Sequence, residues 1–441
     1  MNNIVLSAQL SPATFVAEAP LILRNYLYAF NAKDPVMLRF FIGDADDAAL
    51  ASARTVLTSL IRKEFFFLKE LPLIADVSPG RPPACDAMIR TPDGPSGETV
   101  PGPPLLDANP MDWLDFVFSR TDHRTGETGY GQSVPVAPMA EAQKQTHEHW
   151  SKRPSKGSPL CYPPYRAAFS RRITGSEDKS WLAYFARHLE PLPERGRYLS
   201  IGCGGGSNEA NLLALTSPPG QFDAFDFSQD RVRAATALAK KKGLSCLNCF
   251  TQDAHFLYLP ENHYDAIMAY GILHHLYNLE RLYWEIARSL KPGGLFLIYD
   301  YCGPSHMQFA PLQEQLIDNM VKMLPQQLRV MNSNPEYHKS GFSTPPLDLM
   351  NRLDYSEGIR AAEIAPLLPT RFTILDERGA GGTLLPHVFN DIENALDPGN
   401  AEHMAMVKAL VDLEEDLLQR KVVPHDFRCF ICRPVTSQVN S

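Results

Sequence analysis

The sequence has no run of about twenty apolar residues, the length that a helix needs to cross a bilayer. It also has no run of lysines and arginines longer than three residues, and its formal net charge is -8. A nucleic acid or an anionic membrane surface is therefore not expected as the main partner. The first residues lack the basic segment and apolar core of a secretory signal peptide. These absences predict a soluble, cytoplasmic protein with neither a membrane nor a nucleic-acid partner.

Cysteine is sparse, yet the 8 cysteines include two pairs with metal-ligand spacing, Cys246 with Cys249 and Cys429 with Cys432. Four thiolates could hold a zinc ion. Each pair, however, lies in a segment with a β-strand pattern, where residues three apart point to opposite faces. One strand therefore cannot bring both thiolates of a pair to the same metal without a turn. We expect thiols in the core, a reducing compartment and no metal site.

The length of 441 residues exceeds one ordinary hydrophobic core, so more than one domain is expected. Residues 1–105 combine helix and strand patterns and predict a small α/β accessory region. Proline and glycine are frequent in the following stretch, which predicts a linker and an irregular segment over 106–160. Residues 161–441 are the predicted main domain. Its long insertion at 305–370 is expected to form a lid and a substrate pocket.

Within the main domain, strand and helix patterns alternate at intervals of roughly 25 residues, which is typical of a parallel sheet wound on both faces. The pattern predicts a Rossmann-like, doubly wound α/β sheet of seven strands. The last strand follows a long helix over 401–420 and is expected to be antiparallel. The predicted strands are 198–201, 222–227, 244–250, 264–270, 295–301, 371–376 and 427–433.

A glycine-rich turn follows the first of these strands and has Gly202, Gly204 and Gly206 at alternate positions. Glycine accepts a positive φ and lets the backbone approach a flat ligand, and Ser207 can cap the helix that follows. Asp226 ends the next strand, where a carboxylate can accept both hydroxyls of a ribose. Dinucleotide dehydrogenases share these features. Their fingerprint is G-x-G-x-x-G, however, whereas the glycines of this chain alternate.

Four motifs occur in the order that is found in class I S-adenosylmethionine-dependent methyltransferases, and the chain resembles the small-molecule group of that family. The motifs are the glycine turn, Asp226, Leu273-His274-His275 and Lys291-Pro292-Gly293-Gly294. The resemblance implies S-adenosylmethionine as the cofactor, with its methionine and ribose beside the three glycines and its adenine beside Gln252 and Asp253. The implied cofactor residues are Ser200, Gly202, Cys203, Gly204, Gly206, Asp226, Phe227, Gln252, Asp253, Ala254 and Tyr270.

The chain departs from the family pattern at Ser200, where many members carry an aspartate. The resemblance therefore does not identify a group on this strand that holds the ammonium of the cofactor. Glu209, on the helix that follows the turn, could substitute. A solvated position on that helix is the alternative.

Methyl transfer to a hydroxyl requires a base, and a neutral histidine is the usual base near pH 7. His274 and His275 follow the fourth strand at the carboxyl edge of the sheet, where the acceptor is expected. Adjacent side chains diverge, so at most one histidine is expected to reach the acceptor, and a histidine that caps a helix or packs behind the pocket is the alternative. Asp300, at the end of the fifth strand, is the third catalytic candidate.

Three residues are candidate substrate contacts: Tyr301 after the fifth strand, and Tyr337 and Arg360 in the insertion. Tyr301 could also act in packing alone. Glu357 and Arg360 lie three residues apart on one predicted helical face, so a structural ion pair between them is the alternative to substrate binding.

The predicted activity is methyl transfer to a small molecule, with a hydroxyl of a sugar or secondary metabolite as acceptor. A narrower resemblance, to methyltransferases of bacterial glycan or secondary-metabolite synthesis, rests on Trp150, 171–175, 178–182, 199–204, 300–304, 355–360 and 381–385. Two alternatives stay open, a methyltransferase of protein or nucleic acid and a module of this fold that binds without turnover. The fourth strand lacks the Asn/Asp-Pro-Pro-aromatic motif of the nucleic-acid enzymes. These motifs leave the oligomeric state open.

Overall fold

The fold is described from a computed structural model. The described residues are 4–31, 34, 36–42, 45–65, 68, 73–79, 87–89, 105–107, 109–118, 159–193, 195–217 and 219–435. Trp150, and with it residues 119–158 of the predicted irregular segment, lies outside the described residues.

The N-terminal part is built around a parallel sheet. Its strands are β1 Ile4–Leu10, β2 Val36–Ile42, β3 Leu73–Pro79, β4 Ala87–Ile89 and β5 Leu105–Leu106. They lie in the order β3-β2-β1-β4-β5, and each neighbouring pair is parallel. The helices of this part are α1 Pro12–Ala29, α2 Asp47–Glu64 and α3 Pro110–Phe118.

Two of these elements differ from the sequence prediction. No strand was expected before the first helix, yet β1 pairs with both β2 and β4 and is the central strand. Helix α3 lies inside the segment 106–160, which was predicted to be irregular. The helix buries Trp113, Leu114 and Val117 completely, and tertiary burial of this kind outweighs local composition. The domain borders proposed from the sequence stay a prediction.

The second sheet has seven strands. They are β6 Arg197–Ile201, β7 Gln221–Asp226, β8 Leu247–Thr251, β9 Tyr264–Tyr270, β10 Leu290–Tyr301, β11 Phe372–Gly381 and β12 Phe427–Pro434. Their order is β11-β12-β10-β9-β6-β7-β8, and β12 is antiparallel to both of its neighbours. The other pairs are parallel. The predicted doubly wound α/β sheet of seven strands is confirmed.

Ten α-helices accompany this sheet among the described residues. They are α4 Pro163–Thr174, α5 Leu182–Leu189, α6 Ser207–Leu213, α7 Gln229–Lys242, α8 Leu279–Ser289, α9 Pro311–Met323, α10 Leu347–Asp354, α11 Ile364–Leu367, α12 Leu385–Phe389 and α13 Ala401–Gln419. Helices α9, α10 and α11 lie in the insertion between β10 and β11. None of the described helices is long and apolar enough to cross a membrane.

The centre of the second sheet is buried on both faces. All seven residues of β9 are buried between β6 and β10, which explains why this strand is apolar apart from Asp265. Cys429 and Cys432 on β12 belong to the hydrophobic clusters on opposite faces of the sheet. Their thiols therefore cannot bind one metal ion together, in agreement with the strand argument.

Helix α8 joins the two sheets through a buried ion pair. Arg281 on α8 donates to Oδ2 of Asp34 at 3.2 Å and pairs with Glu285 at 3.0 Å. The hydroxyl of Tyr258 donates to the other oxygen of Asp34 at 3.0 Å, and the Arg281 guanidinium lies 4.4 Å from the ring centre of Phe118 on α3. One hydrophobic cluster runs through both parts of the chain.

Candidate active site

A cavity of about 1100 Å³ opens at the carboxyl ends of β6 to β9. The strand order reverses at this edge, because β7 and β8 lie on one side of β6 while β9 and β10 lie on the other. Ligands of doubly wound sheets bind at such a switch point. The lining residues are Gly202, Gly204, Phe225, Asp226, Phe227, Ser228, Arg231, Gln252, Asp253, Ala254, His255, Gly271, Ile272, His275, Leu276, Tyr355 and Ser356.

The three glycines of the turn between β6 and α6 all have a positive φ. A Cβ added at each of them would have a different environment. A Cβ on Gly204 would meet nothing within 4 Å, so this backbone stays open towards the cavity. A Cβ on Gly202 would lie 2.6 Å from Cγ1 of Ile272. A Cβ on Gly206 would lie 3.0 Å from Cβ of Ala235, on helix α7. Gly206 therefore allows α6 to pack closely on α7, and its predicted place beside the cofactor stays a prediction.

Asp226 lines the cavity and also shapes the turn beside it. Its Oδ2 accepts a hydrogen bond from the backbone N–H of Gly204 at 2.9 Å, and its Oδ1 accepts from the N–H of Ser228 at 2.9 Å. Because this carboxylate lines the cavity, its oxygens can face the hydroxyl groups of a bound ligand. The side chain of Ser228 caps helix α7, as the sequence predicts.

Ser200 and Glu209 form a buried pair beneath the glycine turn. The Ser200 hydroxyl donates to Oε1 of Glu209 at 2.6 Å, and Glu209 is 2% exposed. Its second oxygen, Oε2, is buried with no hydrogen-bond partner among the described residues. Burial raises the pKa of Glu209 to about 7. The solvated position that the sequence left open for Glu209 is therefore wrong.

Gln252, Asp253 and Ala254 line the cavity at the end of β8. The Asp253 carboxylate accepts from the backbone N–H of His255 at 2.9 Å and lies 2.9 Å from its ring Nδ1. His255 is a lining residue that the sequence reasoning missed, and its ring stacks on Tyr277 with 4.7 Å between the ring centres. These contacts fix the wall that is predicted to meet the adenine, and that assignment stays a prediction.

Cys203 and Tyr270 belong to the predicted cofactor set but are absent from the residues that line the described cavity. Both are buried, and burial raises the pKa of both side chains. The Tyr270 hydroxyl has no hydrogen-bond partner among the described residues, and its ring packs edge-on against Trp181. Phe227, by contrast, lines the cavity as predicted.

His274 lies behind the cavity and is held by Asp300. Its Nδ1 is 2.6 Å from Oδ1 of Asp300, which must be the acceptor because a carboxylate cannot donate. Its Nε2 is 3.7 Å from Oε1 of Glu357. Burial lowers the pKa of His274, but Asp300 and then Glu357 outweigh it, so the pKa is raised overall. Asp300 also accepts the backbone N–H groups of Ile272 and Leu273 at 2.9 and 2.8 Å, so it anchors the loop after β9.

His275 lines the cavity and is held from the insertion. Its Nδ1 lies 3.0 Å from Oγ of Ser356, and this hydroxyl donates to Oδ1 of Asp354 at 2.7 Å. Burial lowers the pKa of His275, and the neighbouring His274 lowers it further, so the pKa falls below its ordinary value. Ser356 and Asp354 were not predicted, because they lie about eighty residues from the histidine and no local pattern joins them.

One potential ligand atom from each of His274, His275 and Glu357 lies within 4.8 Å of the other two. A metal ion could use this spacing, so the prediction of no metal site stays a prediction.

The candidate substrate residues lie apart from this cavity. Tyr301 is 1% exposed, and its hydroxyl donates to the carbonyl of Pro304 at 3.1 Å. Tyr337 is 61% exposed on the insertion. Arg360 binds both oxygens of Glu280 at 2.6 and 2.7 Å. The proposed pair of Arg360 with Glu357 is wrong, since the insertion turns Glu357 towards His274 instead.

Comparison with known proteins matches residues 199–298 to a family described as a methyltransferase domain. Sterol 24-C-methyltransferase ERG6B of Gibberella zeae is 31% identical over 143 residues, which cover 32% of this chain and 36% of that protein. Ubiquinone/menaquinone biosynthesis C-methyltransferase UbiE of Pseudomonas fluorescens (strain Pf0-1) is 27% identical over 205 residues, which cover 43% of this chain and 79% of that protein. The chain spans about a third of the length of the sterol methyltransferases that it matches.

Among solved structures, geranyl diphosphate C-methyltransferase of Streptomyces coelicolor A3(2), in complex with Mg²⁺, geranyl diphosphate and S-adenosyl-L-homocysteine, is 13% identical. The match covers 68% of this chain and 100% of that chain with a TM-score of 0.38. Likenesses with a TM-score this low carry no conclusion about this chain.

The reversed strand order, the glycine turn and the carboxylate at the end of β7 define a nucleotide-binding doubly wound sheet. Residues 199–298 match a methyltransferase-domain family, which supports the class I S-adenosylmethionine-dependent methyltransferases as the family of this part of the chain. The family predicted from the sequence is therefore confirmed, together with S-adenosylmethionine as its cofactor.

The residues of the site fit this cofactor. The open backbone at Gly204 can lie against the nucleoside, and the carboxylate of Asp226 has acceptor sites for its ribose hydroxyls. The buried Oε2 of Glu209, which has no hydrogen-bond partner among the described residues, suits an ammonium group. Glu209 on helix α6 thus places a carboxylate beside Ser200, and its role toward the cofactor stays a prediction.

Proposed function

We propose that this chain transfers the methyl group of S-adenosylmethionine to a hydroxyl of a small molecule, and that His275 takes the proton of that hydroxyl. The hydrogen-bonded series from Asp354 through Ser356 to His275 carries the proposal, because it ends at the wall of the cofactor cavity.

This series defines which nitrogen of His275 is basic. The Ser356 hydroxyl has one proton, and that proton points to the carboxylate of Asp354. The hydroxyl oxygen must then accept from His275, so Nδ1 carries the hydrogen and Nε2 carries the lone pair. Nε2 is therefore the nitrogen that can take up a proton.

The two histidines differ in charge for physical reasons. His274 lies between Asp300 and Glu357, and its raised pKa favours the imidazolium form. His275 is buried beside that cation and has a lowered pKa, which favours the neutral form that a base requires. We assign His274 and Asp300 as positioning residues, since they hold the loop that carries His275.

When bound, S-adenosylmethionine supplies an activated methyl group. Gly204, Asp226 and Glu209 would hold it, and the walls from β8 and the insertion would exclude water. Methyl transfer is an in-line displacement that depends on alignment, so these residues contribute by fixing the geometry of the reactants.

A carbon acceptor is the second candidate function. Two of the relatives described above are named as C-methyltransferases. The same base would then remove a proton that the new carbon–carbon bond displaces. We place the hydroxyl first because the series of hydrogen bonds to His275 prepares an uncharged base for a weak acid.

The test is a transfer assay with methyl-¹³C S-adenosylmethionine and a panel of hydroxylated metabolites and sugars. The chemical shift of the transferred methyl separates oxygen from carbon products.

Asparagine keeps a donor near the position of Nδ1, so His275→Asn should retain the contact with Ser356 while removing the base. We expect turnover to fall by about 100-fold or more, with unchanged affinity for S-adenosylhomocysteine. Turnover equal to that of the exposed control His338→Asn would contradict the assignment.

A further inference from the structure

A second cavity of about 740 Å³ lies between the N-terminal part and the insertion. Helix α2 and its end contribute Lys63, Glu64 and Phe65, and helix α10 contributes Leu347 and Asn351. This cavity is therefore formed by segments more than 280 residues apart in the chain, and the N-terminal part provides one of its walls.

The lining of the second cavity is mainly aromatic and aliphatic. Tyr28 and Phe65 face it from the N-terminal part, Tyr277 from the connection between β9 and α8, and Leu347 and Ile359 from the insertion. Such walls can bind an apolar body, and His306 and Asn351 add polar groups to the lining.

The charged groups around this cavity are paired, with one exception. Arg360 is bound by Glu280 and Glu363, and Glu64 by Arg24 at 2.7 Å. Lys63 is exposed in the last turn of α2 and has no salt bridge among the described residues. The lining thus has a positive charge available at its rim, which suits an anionic group.

The second cavity adjoins the cofactor cavity. Tyr355 lines both, and it follows directly after helix α10 and precedes Ser356, the partner of His275. Tyr277 lines the second cavity and stacks on His255, which lines the first. Tyr355 is therefore a wall that the two cavities share, next in the chain to the partner of the base.

We propose that this second cavity binds the methyl acceptor, and that the acceptor is an aromatic or aliphatic metabolite whose acidic group binds Lys63. Its role as the acceptor site depends on the proposed function, whereas ligand binding at the cavity does not. The N-terminal part then takes part in acceptor binding, because it supplies both the cation and part of the apolar wall. The aromatic and aliphatic walls favour an acceptor with an apolar body over a sugar.

Two fluorescent probes test the binding chemistry. 8-Anilinonaphthalene-1-sulfonate has an aromatic body with an acidic group, and N-phenyl-1-naphthylamine is its counterpart without the acid. We expect saturable, equimolar binding of the sulfonate, weakened about tenfold or more by Lys63→Glu, a change of about 1.4 kcal/mol. Binding of the neutral probe should change less than about twofold in Lys63→Glu. Leu347→Asp should weaken both probes.

Matched controls come from the same helices. Arg62→Glu reverses the neighbouring exposed charge on α2, and Leu349→Asp adds the same acid on α10 at a position that does not line the described cavity. Both should leave the affinity for either probe within about twofold of the parent value. Saturating S-adenosylhomocysteine should not displace the sulfonate.

Three results would overturn the proposal: no saturable binding of the sulfonate, equal effects of Lys63→Glu and Arg62→Glu, or displacement by S-adenosylhomocysteine. The last result would locate the probe in the cofactor cavity. Failure of the protein to bind S-adenosylhomocysteine would instead contradict the proposed function. The probe titrations would still decide whether the second cavity binds an acidic apolar ligand.

Discussion

The hydroxyl of Ser200 donates a hydrogen bond of 2.6 Å to Oε1 of Glu209, and both side chains are buried beneath the glycine turn. The bond joins β6 to α6 directly beside the cofactor turn. Because Oε2 of Glu209 has no hydrogen-bond partner among the described residues, the pair presents an acceptor that is not satisfied within the described chain. A cationic ligand group would relieve that cost.

Glu209→Gln removes the charge and keeps the shape. We expect this variant to bind S-adenosylhomocysteine about tenfold or more weakly, because a charge-assisted bond to the ammonium is lost. 5′-Methylthioadenosine lacks the amino-acid part, so its affinity should not change. Calorimetry with both ligands measures the difference, and Glu190→Gln serves as an exposed acidic control. Equal losses for the two ligands would contradict the ammonium assignment.

The affinity for S-adenosylhomocysteine should depend on pH through the same carboxyl. Its pKa in the ligand-free protein is about 7 because of burial, and an ammonium beside it favours the carboxylate. Below pH 7 the group must lose a proton before it can pair, so affinity should fall as the pH is lowered from 8 to 6. The fall should be up to about tenfold per pH unit below the pKa. Glu209→Gln should abolish this trend, and a trend of the same size in the variant would contradict it.

His275 should carry its hydrogen on Nδ1 at neutral pH. The reason is the donation from Ser356 to Asp354, which leaves the serine oxygen as an acceptor. Long-range ¹⁵N–¹H correlation spectra of histidine-labelled protein report the tautomer of each ring. Ser356→Ala removes the acceptor and should release the Nδ1–H preference, while the signal of His338 should be unchanged. A hydrogen on Nε2 of His275 in the parent protein would contradict the mechanism.

The buried pair of Arg281 and Asp34 should stabilise the junction of the two sheets. Asp34→Ala leaves the Arg281 charge buried with fewer partners, and we expect a loss of about 3 kcal/mol in the free energy of unfolding. Urea denaturation measures this loss. The exposed pair of Arg352 and Asp348 is the control, because Arg352→Ala should cost less than about 1 kcal/mol. Similar costs at the two sites would show that Asp34 does not hold the junction.

Local patterns predicted much of the second sheet. The mostly apolar segment of β9 and the alternating glycines identify a buried strand and a turn, because both depend on neighbours in sequence. Strand β1 was missed, since seven residues with few turn signals beside them do not define a strand by themselves. The close approach of Gly206 to Ala235 could not be predicted either, because it is a contact across two helices.

The parts of the site that escaped prediction depend on contacts between distant segments. Ser356 meets His275 from about eighty residues away, and Glu209 became a buried acid only because α6 packs beside Ser200 and Tyr270. The sequence reasoning identified His274, His275 and Asp300 as a group but could not separate their roles. The roles proposed above are based on which oxygen each ring nitrogen contacts.

Calorimetric titration of the purified protein with S-adenosylmethionine, S-adenosylhomocysteine and NAD tests the cofactor site, which the proposed activity requires. We expect equimolar binding of both sulfur nucleotides with dissociation constants of about micromolar size, and no binding of NAD. Asp226→Ala should abolish binding of both, because it removes the ribose acceptor and the partner of the Gly204 N–H. Binding of NAD, or no binding of either sulfur nucleotide by the folded parent protein, would contradict the assignment.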